Sequence, residues 1–266
     1  MSRNETRSRH ETNEQAAPGG GRWLRRYWPL PAAGTLAVVS LLLMSPVSGA
    51  TNVASFSAPF TGATAIHHQD AVSQGCGAQL TVSTAASFVL STGVGTGAAS
   101  AKSSPCSSSD SQATYDAIVG VNGLAFTPAT TGTYTTTAQW NVTWNASGSM
   151  SGKAAAAGGQ TTVEIWVLVK LHDSTTGKTF VGKTFFVVRK DMTTAAKYSG
   201  GKTGALYMAS LSHGLTAGDK YQVYAVLGFD IAAVIPQASP AGSVTSAAVD
   251  LGSPGHGGTL TSITVA

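Results

Sequence analysis

Charged side chains are scarce in this sequence. Asp, Glu, Lys and Arg make up 11% of its 266 residues, whereas they make up about 25% of a typical soluble domain. The apolar fraction of 42% is ordinary, so small residues, among them 31 glycines, take the place of the missing charges. This composition excludes a coiled coil, a long helical protein rich in Ala, Glu and Lys, and a highly charged disordered chain.

The few charges are distributed unevenly along the chain. The formal net charge of +4 combines six arginines and three glutamates in residues 1–50 with ten basic and nine acidic residues in residues 51–266. Most of the positive charge therefore belongs to the N-terminal segment. No stretch after residue 50 gathers Lys or Arg with aromatic residues, so a nucleic-acid partner is not predicted.

The N-terminal segment, residues 1–50, has the order of an export signal. A basic patch around Arg25 precedes an uncharged apolar run from Leu30 to Met44, and a short stretch of small residues ends at Ala50. This order is typical of a secretory signal peptide, so we predict cleavage after Ala50.

An uncleaved membrane anchor through residues 30–47 is the alternative. Its apolar run is shorter than the ~20 residues that a bilayer requires. Both interpretations place residues 51–266 outside the cytoplasm, as a secreted or cell-surface domain, because the basic patch stays inside.

Cysteine is also rare. Cys76 and Cys106 are the only two, and both follow the predicted export signal. In an oxidising compartment such a pair forms a disulfide, which here closes a loop of Gly- and Ser-rich sequence. A metal-binding or nucleophilic thiol is the alternative, but neither cysteine has a second Cys or a His beside it.

Alternation of side-chain type with a period of two predicts β-strands after residue 50. In Thr133–Asn145 aromatic and apolar residues alternate with Thr, Gln and Asn, as in a strand with one buried and one wet face. Two further predicted strands, Thr162–Leu171 and Thr179–Arg189, form a hairpin. Ala205–Leu211 and Tyr221–Phe229 are also predicted to be strands.

No stretch has a helical period, and Ser147–Gly159 is predicted to be a loop. The fold class is therefore all-β, with one antiparallel β-sandwich in residues 51–266.

Two short segments resemble jelly-roll domains of the C1q/tumour-necrosis-factor type. One is Phe126-Thr127-Pro128 followed by Gly132-Thr133-Tyr134, which introduces a long strand after a Pro/Gly turn. The other is Leu215 followed by Gly218-Asp219-Lys220-Tyr221, a turn before a late strand. The resemblance implies a jelly-roll-like topology and carries no functional residue with it.

Two aromatic residues and one carboxylate are candidates for ligand binding. Trp166, Tyr224 and Glu164 lie opposite the main apolar stripes of their strands, where the rings offer a stacking platform for a carbohydrate. The alternatives are that the rings pack against other protein groups and that Glu164 forms a salt bridge.

Histidine-based metal binding rests on the cluster His67, His68 and Asp70. Neighbours on a strand point to opposite faces, so the two histidines can share one ion only if they lie in a loop. The chain contains no H-E-x-x-H motif, no EF-hand spacing, no phosphate-binding loop and no G-x-S-x-G element in a strand–turn–helix context. No catalytic residue and no cofactor is predicted.

The sequons Asn141-Val142-Thr143 and Asn145-Ala146-Ser147 are candidate glycosylation sites, since both asparagines fall on the polar side of the predicted strand.

Together these features predict an exported, non-enzymatic β-sandwich that serves as a structural, adhesive or binding module at the cell surface. A carbohydrate-binding module is the first alternative. An exported metal-binding protein or hydrolase is the second.

Overall fold

Two antiparallel β-sheets form the described part of the protein, which confirms the all-β prediction. The structure is a computed structural model, and it describes residues 53–266. Sheet A contains β1 (Ala54–Phe56), β3 (Ala78–Val89), β4 (Val94–Ser103), β6 (Gly132–Met150), β10 (Ala196–Leu215), β12 (Thr245–Asp250) and β13 (Gly257–Val265). Sheet B contains β2 (Thr64–Gln74), β5 (Ser111–Phe126), β7 (Gln160–Asp173), β8 (Lys178–Val181), β9 (Phe185–Met192) and β11 (Tyr221–Ile235).

Each sheet is organised around a long central strand. In sheet A, β6 pairs with β10 on one side and with β12 and β13 on the other. Strand β4 pairs in turn with β12 and β13, and β3 continues the sheet beyond it. In sheet B, β11 lies between β5 and β7, while β2 extends the β5 side and β8 and β9 both pair with β7. The predicted hairpin is confirmed, with its return strand divided into β8 and β9.

Most of the segment Ser147–Gly159, which was predicted to be a loop, has regular structure. Strand β6 continues to Met150, and a short helix, α1 (Gly152–Ala156), follows it. The Ser151 hydroxyl caps this helix by accepting a hydrogen bond from the Ala154 amide at 3.2 Å. A serine cap before a run of alanines favours one helical turn, which is too short to give a periodic pattern.

The core is built by bulky side chains of sheet B that enter gaps on the inner face of sheet A. A Cβ at Gly97 would lie 2.8 Å from the Phe229 ring, and one at Gly258 would lie 2.2 Å from a Leu227 methyl carbon. Both contacts are shorter than van der Waals distance, so a side chain at either position would force the facing ring or methyl group to move. Trp140 of sheet A is fully buried and meets Phe88 edge-on at 6.2 Å between ring centroids. The abundance of glycine in the sequence thus partly reflects close packing between the sheets.

The predicted disulfide is present. Cys76, in the turn between β2 and β3, is bonded to Cys106, in the loop after β4. Cys106 is buried, and its sulfur accepts a hydrogen bond from the Cys76 amide at 3.2 Å. The bond ties the start of β3 to the loop at the end of β4.

The predicted export segment, residues 1–50, lies outside the described residues. Within residues 53–266, no helix combines the length and apolar character that membrane crossing requires.

Removal of the disulfide is expected to lower the stability of the sandwich without changing its fold. The bond joins residues 30 positions apart, and closure of a loop of that size stabilises a protein by about 3–4 kcal/mol in the chain-entropy model. The double substitution Cys76→Ala and Cys106→Ala should shift the midpoint of urea unfolding accordingly, with an unchanged far-UV spectrum. Reduction of the wild-type protein is the control and should give the same midpoint; an unshifted midpoint would contradict the assignment.

Candidate functional site

The two outer faces of the sandwich differ in chemistry. Where β4, β12, the end of β6 and the start of β10 lie side by side, the outer face of sheet A carries small and hydroxylated side chains. The register aligns them in rows across these four strands. The first row is Ala98, Asp250, Asn145 and Gly201; the second is Ser100, Ala248, Ser147 and Ser199; the third is Lys102, Ser246, Ser149 and Lys197. We call the depression over these rows the groove.

The groove is large enough to hold a ligand. Over the first two rows it forms a cavity of about 890 Å³, which Lys202 and His256 also line. A second cavity of about 280 Å³ continues over the third row, and Ser100, Ser147 and Ala248 line both. Ligand-binding clefts usually have volumes of ~300–1,000 Å³. Alanine, glycine and serine form the floor, and the depression exists because these side chains are small.

Asp250 anchors one end of the groove. Its Oδ1 accepts hydrogen bonds from the amides of Gly252 and Ser253, both at 2.9 Å, and its Oδ2 lies 2.9 Å from His256 Nδ1. The hydrogen bonds from Ser253, Gly252 and His256 outweigh the effect of burial and hold the pKa of the Asp250 carboxyl well below its usual range. Asp250 is therefore ionised at neutral pH, and it fixes the orientation of the imidazole.

The His256 ring connects this carboxylate to Asn145. Because Nδ1–H donates to Asp250, Nε2 is free to accept from the Asn145 side-chain amide, 3.3 Å away. Gly201 stands opposite Asn145 on β10, where a Cβ would lie only 2.1 Å from the Asn145 oxygen. The missing side chain at Gly201 thus leaves room for the Asp250–His256–Asn145 chain of polar groups.

The outer face of sheet B carries a line of carboxyl groups. Asp70 of β2, Asp116 of β5, Asp230 of β11 and Glu164 of β7 are consecutive cross-strand partners. We call these four residues the acidic row. Like charges directly opposite each other destabilise a sheet, so this arrangement requires protonation or counter-charges.

The central pair of the acidic row consists of two carboxyl groups with raised pKa values. Burial raises the pKa of Asp230 well above its usual range, and the neighbouring Asp116 carboxylate adds to this effect. Burial also raises the pKa of Asp116, and one of its oxygens is buried without a hydrogen-bond partner in the described structure. The Trp166 indole N–H donates to Asp230 Oδ2 at 2.8 Å. Burial and the neighbouring carboxylate therefore favour the protonated form of Asp230.

Glu164 ends the acidic row beside a cation. Arg189 of β9 lies 3.0 Å from the Glu164 carboxylate and 3.1 Å from that of Asp191. Burial raises the pKa of Glu164, while the Arg189 guanidinium acts in the opposite direction. The salt bridge foreseen as the alternative role of Glu164 is present.

The two aromatic candidates are buried on the same face as the acidic row. Trp166 is 3% exposed and Tyr224 7% exposed. The Trp166 ring lies over Gly228, where a Cβ would meet it at 2.2 Å, and it packs with Leu168, Val226 and Phe186. Neither ring offers an open face on which a sugar can stack, which matches the alternative expectation that these rings pack against protein groups.

The histidine cluster does not converge on one ion. His67 and His68 are consecutive residues of strand β2, not of a loop, so their side chains point to opposite faces. His68 and Asp70 share the outer face of sheet B with Asp116. Within residues 53–266, no group of three or more His, Cys, Asp or Glu side chains is placed to hold a metal ion.

Both sequon asparagines lie on the outer face of sheet A. Asn141 is half-buried, whereas Asn145 is exposed. The Asn145 amide is the group that contacts His256, so a glycan there would replace this contact. Glycosylation of the two sites stays a prediction.

Sequence reasoning missed the groove and its anchor. Asp250 and His256 are six residues apart, with glycines at 252 and 255 between them. That spacing is typical of a tight loop, which brings the side chain of His256 back to that of Asp250. The third member, Asn145, comes from a strand more than 100 residues away in the sequence, and only the pairing of β12 with β6 brings it there.

Comparisons with known proteins leave the chain without an informative relative. No family model and no curated protein matches it. Among solved structures, it matches a chain of "Structure of infectious bursal disease virus Gx strain" at 8% identity and a TM-score of 0.14. The match covers 86% of this chain and 46% of the other. A likeness at this level carries no argument about fold or function.

The raised pKa of Asp230 predicts a pH-dependent stability. A carboxyl whose pKa is raised by folding contributes stability that is complete below the unfolded pKa of about 4 and is lost as pH rises through the folded value. Asp230→Asn keeps an acceptor for Trp166 and a donor for Asp116. We expect it to raise the free energy of unfolding by about 1 kcal/mol at pH 8 and to flatten the decline between pH 4 and pH 8.

The control is Asp70→Asn at the exposed end of the acidic row. It should change the stability by less than ~0.5 kcal/mol at either pH. Denaturant unfolding at several pH values measures both variants. A steeper decline in Asp230→Asn than in the wild-type protein would contradict the raised pKa of Asp230.

Proposed function

We propose that the chain is an exported, non-enzymatic β-sandwich that acts as a structural or adhesive binding module at the cell surface. The groove on sheet A is its recognition surface. The observation that carries this proposal is a cavity of about 890 Å³ floored by small polar residues at the centre of an exposed sheet face. A polar floor of this size suits a hydrophilic polymer, because its hydroxyl groups can replace the water over Ser100, Ser147 and Ser199.

Export is proposed from the N-terminal sequence pattern together with the disulfide. A structural disulfide persists in oxidising compartments, and the Cys76–Cys106 bond lies in the domain that the export signal would deliver. Cleavage after Ala50 remains the preferred form of the proposal, with an uncleaved anchor as the alternative.

A jelly-roll connectivity is proposed for the sandwich. Four strands of sheet A follow the order β1, β13, β6, β10, and four of sheet B follow the order β5, β11, β7, β8. The chain changes sheets at most of the steps between them. Two four-stranded sheets linked in this manner are characteristic of the jelly roll, and the remaining strands extend the sheets. The sequence resemblance to C1q/tumour-necrosis-factor domains supports the same connectivity.

Filling the groove tests the functional proposal. Ala248→Phe places a ring on the groove floor, whereas Ala232→Phe places one at a half-buried alanine on the outer face of sheet B. Full-length wild-type protein should bind isolated cell walls of the source organism in a sedimentation assay. Ala248→Phe should weaken that binding at least about tenfold, and Ala232→Phe should leave it within about twofold.

Two results would contradict this function. One is the absence of cell-wall binding by the wild-type protein, and the other is an equal effect of the two substitutions. Release of soluble fragments from the walls, lost in Asp250→Asn, would instead identify a hydrolase that uses the Asp250–His256 pair.

A further inference from the structure

We propose that the groove binds an anionic glycan, which is a polyhydroxylated chain that carries carboxylate or phosphate groups at intervals. This inference rests on the proposed function of the groove and names the chemistry of its ligand. It follows from the charges around the groove, from the free hydroxyl groups on its floor, and from the opposite charge of the other face.

Three lysines surround the groove. Lys102 and Lys197 stand at opposite ends of the third row, while Lys202 lines the larger cavity. Lys102 and Lys197 are separated by three interstrand spacings, or roughly 14 Å. In residues 53–266 none of the three forms an ion pair with Asp or Glu. Unpaired ammonium groups spaced along a depression attract a chain with spaced negative charges.

The single carboxylate of the groove does not oppose such a ligand. Asp250 is occupied by two backbone amides and by His256. Hydrogen bonds from these groups of the protein thus already compensate its negative charge. Within the described residues, the three rows and the cavity lining contain no other acidic side chain, so the field over the groove is positive.

The floor supplies neutral hydrogen-bonding groups between the lysines. Ser100, Ser147 and Ser199 are exposed, and none of their hydroxyls forms a hydrogen bond within residues 53–266. A hydroxyl is both a donor and an acceptor, so these groups match the hydroxyls of a sugar ring. Lysines alone would attract any polyanion, whereas the serines add a preference for a polyhydroxylated one.

The other face of the sandwich has the opposite character. The outer face of sheet B carries the acidic row and Asp191, balanced in part by Arg189 and Lys170. An anionic chain is therefore repelled from sheet B and attracted to sheet A. The near-neutral total charge of residues 51–266 conceals this separation.

Binding of defined polymers to the full-length chain tests the proposal. The probes are polygalacturonate, poly(glycerol phosphate), dextran and polyaspartate, each measured by titration calorimetry. We expect binding of at least one of the first two, and the stronger of them identifies the anionic group. Affinity should fall at least about tenfold between low salt and ~0.5 M NaCl, because salt screens exposed charges.

Matched variants separate the groove from general charge. The double substitution Lys102→Gln and Lys202→Gln should weaken binding of the anionic glycan about tenfold. This factor assumes that each exposed lysine contributes about two- to fivefold to the affinity. Lys178→Gln with Lys220→Gln removes the same charge at the β7–β8 turn and the turn before β11, and should change affinity less than twofold. Ser100→Ala with Ser199→Ala should weaken binding without changing its salt dependence.

Several outcomes would overturn the inference. Equal binding of polyaspartate would show recognition of charge alone, and equal binding of dextran would show a neutral-glycan site. An equal loss in the two lysine variants would remove the groove from the interaction. If none of the four probes binds while cell-wall binding remains sensitive to Ala248→Phe, the anionic-glycan inference fails and the proposed function stands.

Discussion

The small side chains of sheet A are the constraint on which the rest of the structure depends. On its inner face, Gly97 and Gly258 leave gaps that Phe229 and Leu227 of sheet B fill. On its outer face, Ala98 and Ala248 keep the floor of the groove low enough for a cavity to form. Larger residues at the inner positions would separate the sheets, and larger residues at the outer positions would fill the groove. The packing of the core and the proposed recognition surface therefore require the same kind of residue on opposite faces of one sheet.

Low charge content makes the position of each charge decisive. With few ionised groups in the domain, the lysines around the groove and the acidic row on the other sheet give the two outer faces opposite signs. The protein tolerates the acidic row because burial raises the pKa of Asp230, which accepts a hydrogen bond from Trp166, and because Arg189 lies beside Glu164. A composition with few charged residues thus gives a sandwich whose two outer faces carry opposite charge.

The sequence predicted the fold better than the site. Alternation in Thr133–Asn145 identified the central strand β6. The disulfide was identified because Cys76 and Cys106 are the only two cysteines and both follow the predicted export signal. The short helix α1 was missed because one turn has no period. The position of Trp166 opposite the core stripe left both a stacking platform and packing against protein groups open, and the absence of a side chain at Gly228 gives the ring the space in which it is buried. The groove is invisible in the sequence, because its residues come from four strands that only the register aligns.

Chemical-shift mapping tests the central claim that the outer face of sheet A is the recognition surface. In this measurement, isotope-labelled full-length protein is titrated with polygalacturonate or poly(glycerol phosphate), whichever binds, and backbone amide shifts are followed. The account predicts that shifts concentrate at Ser100, Ser147, Ser199 and Lys202, with the amides of the acidic row unchanged. Shifts confined to sheet B, or spread evenly over both faces, would contradict it.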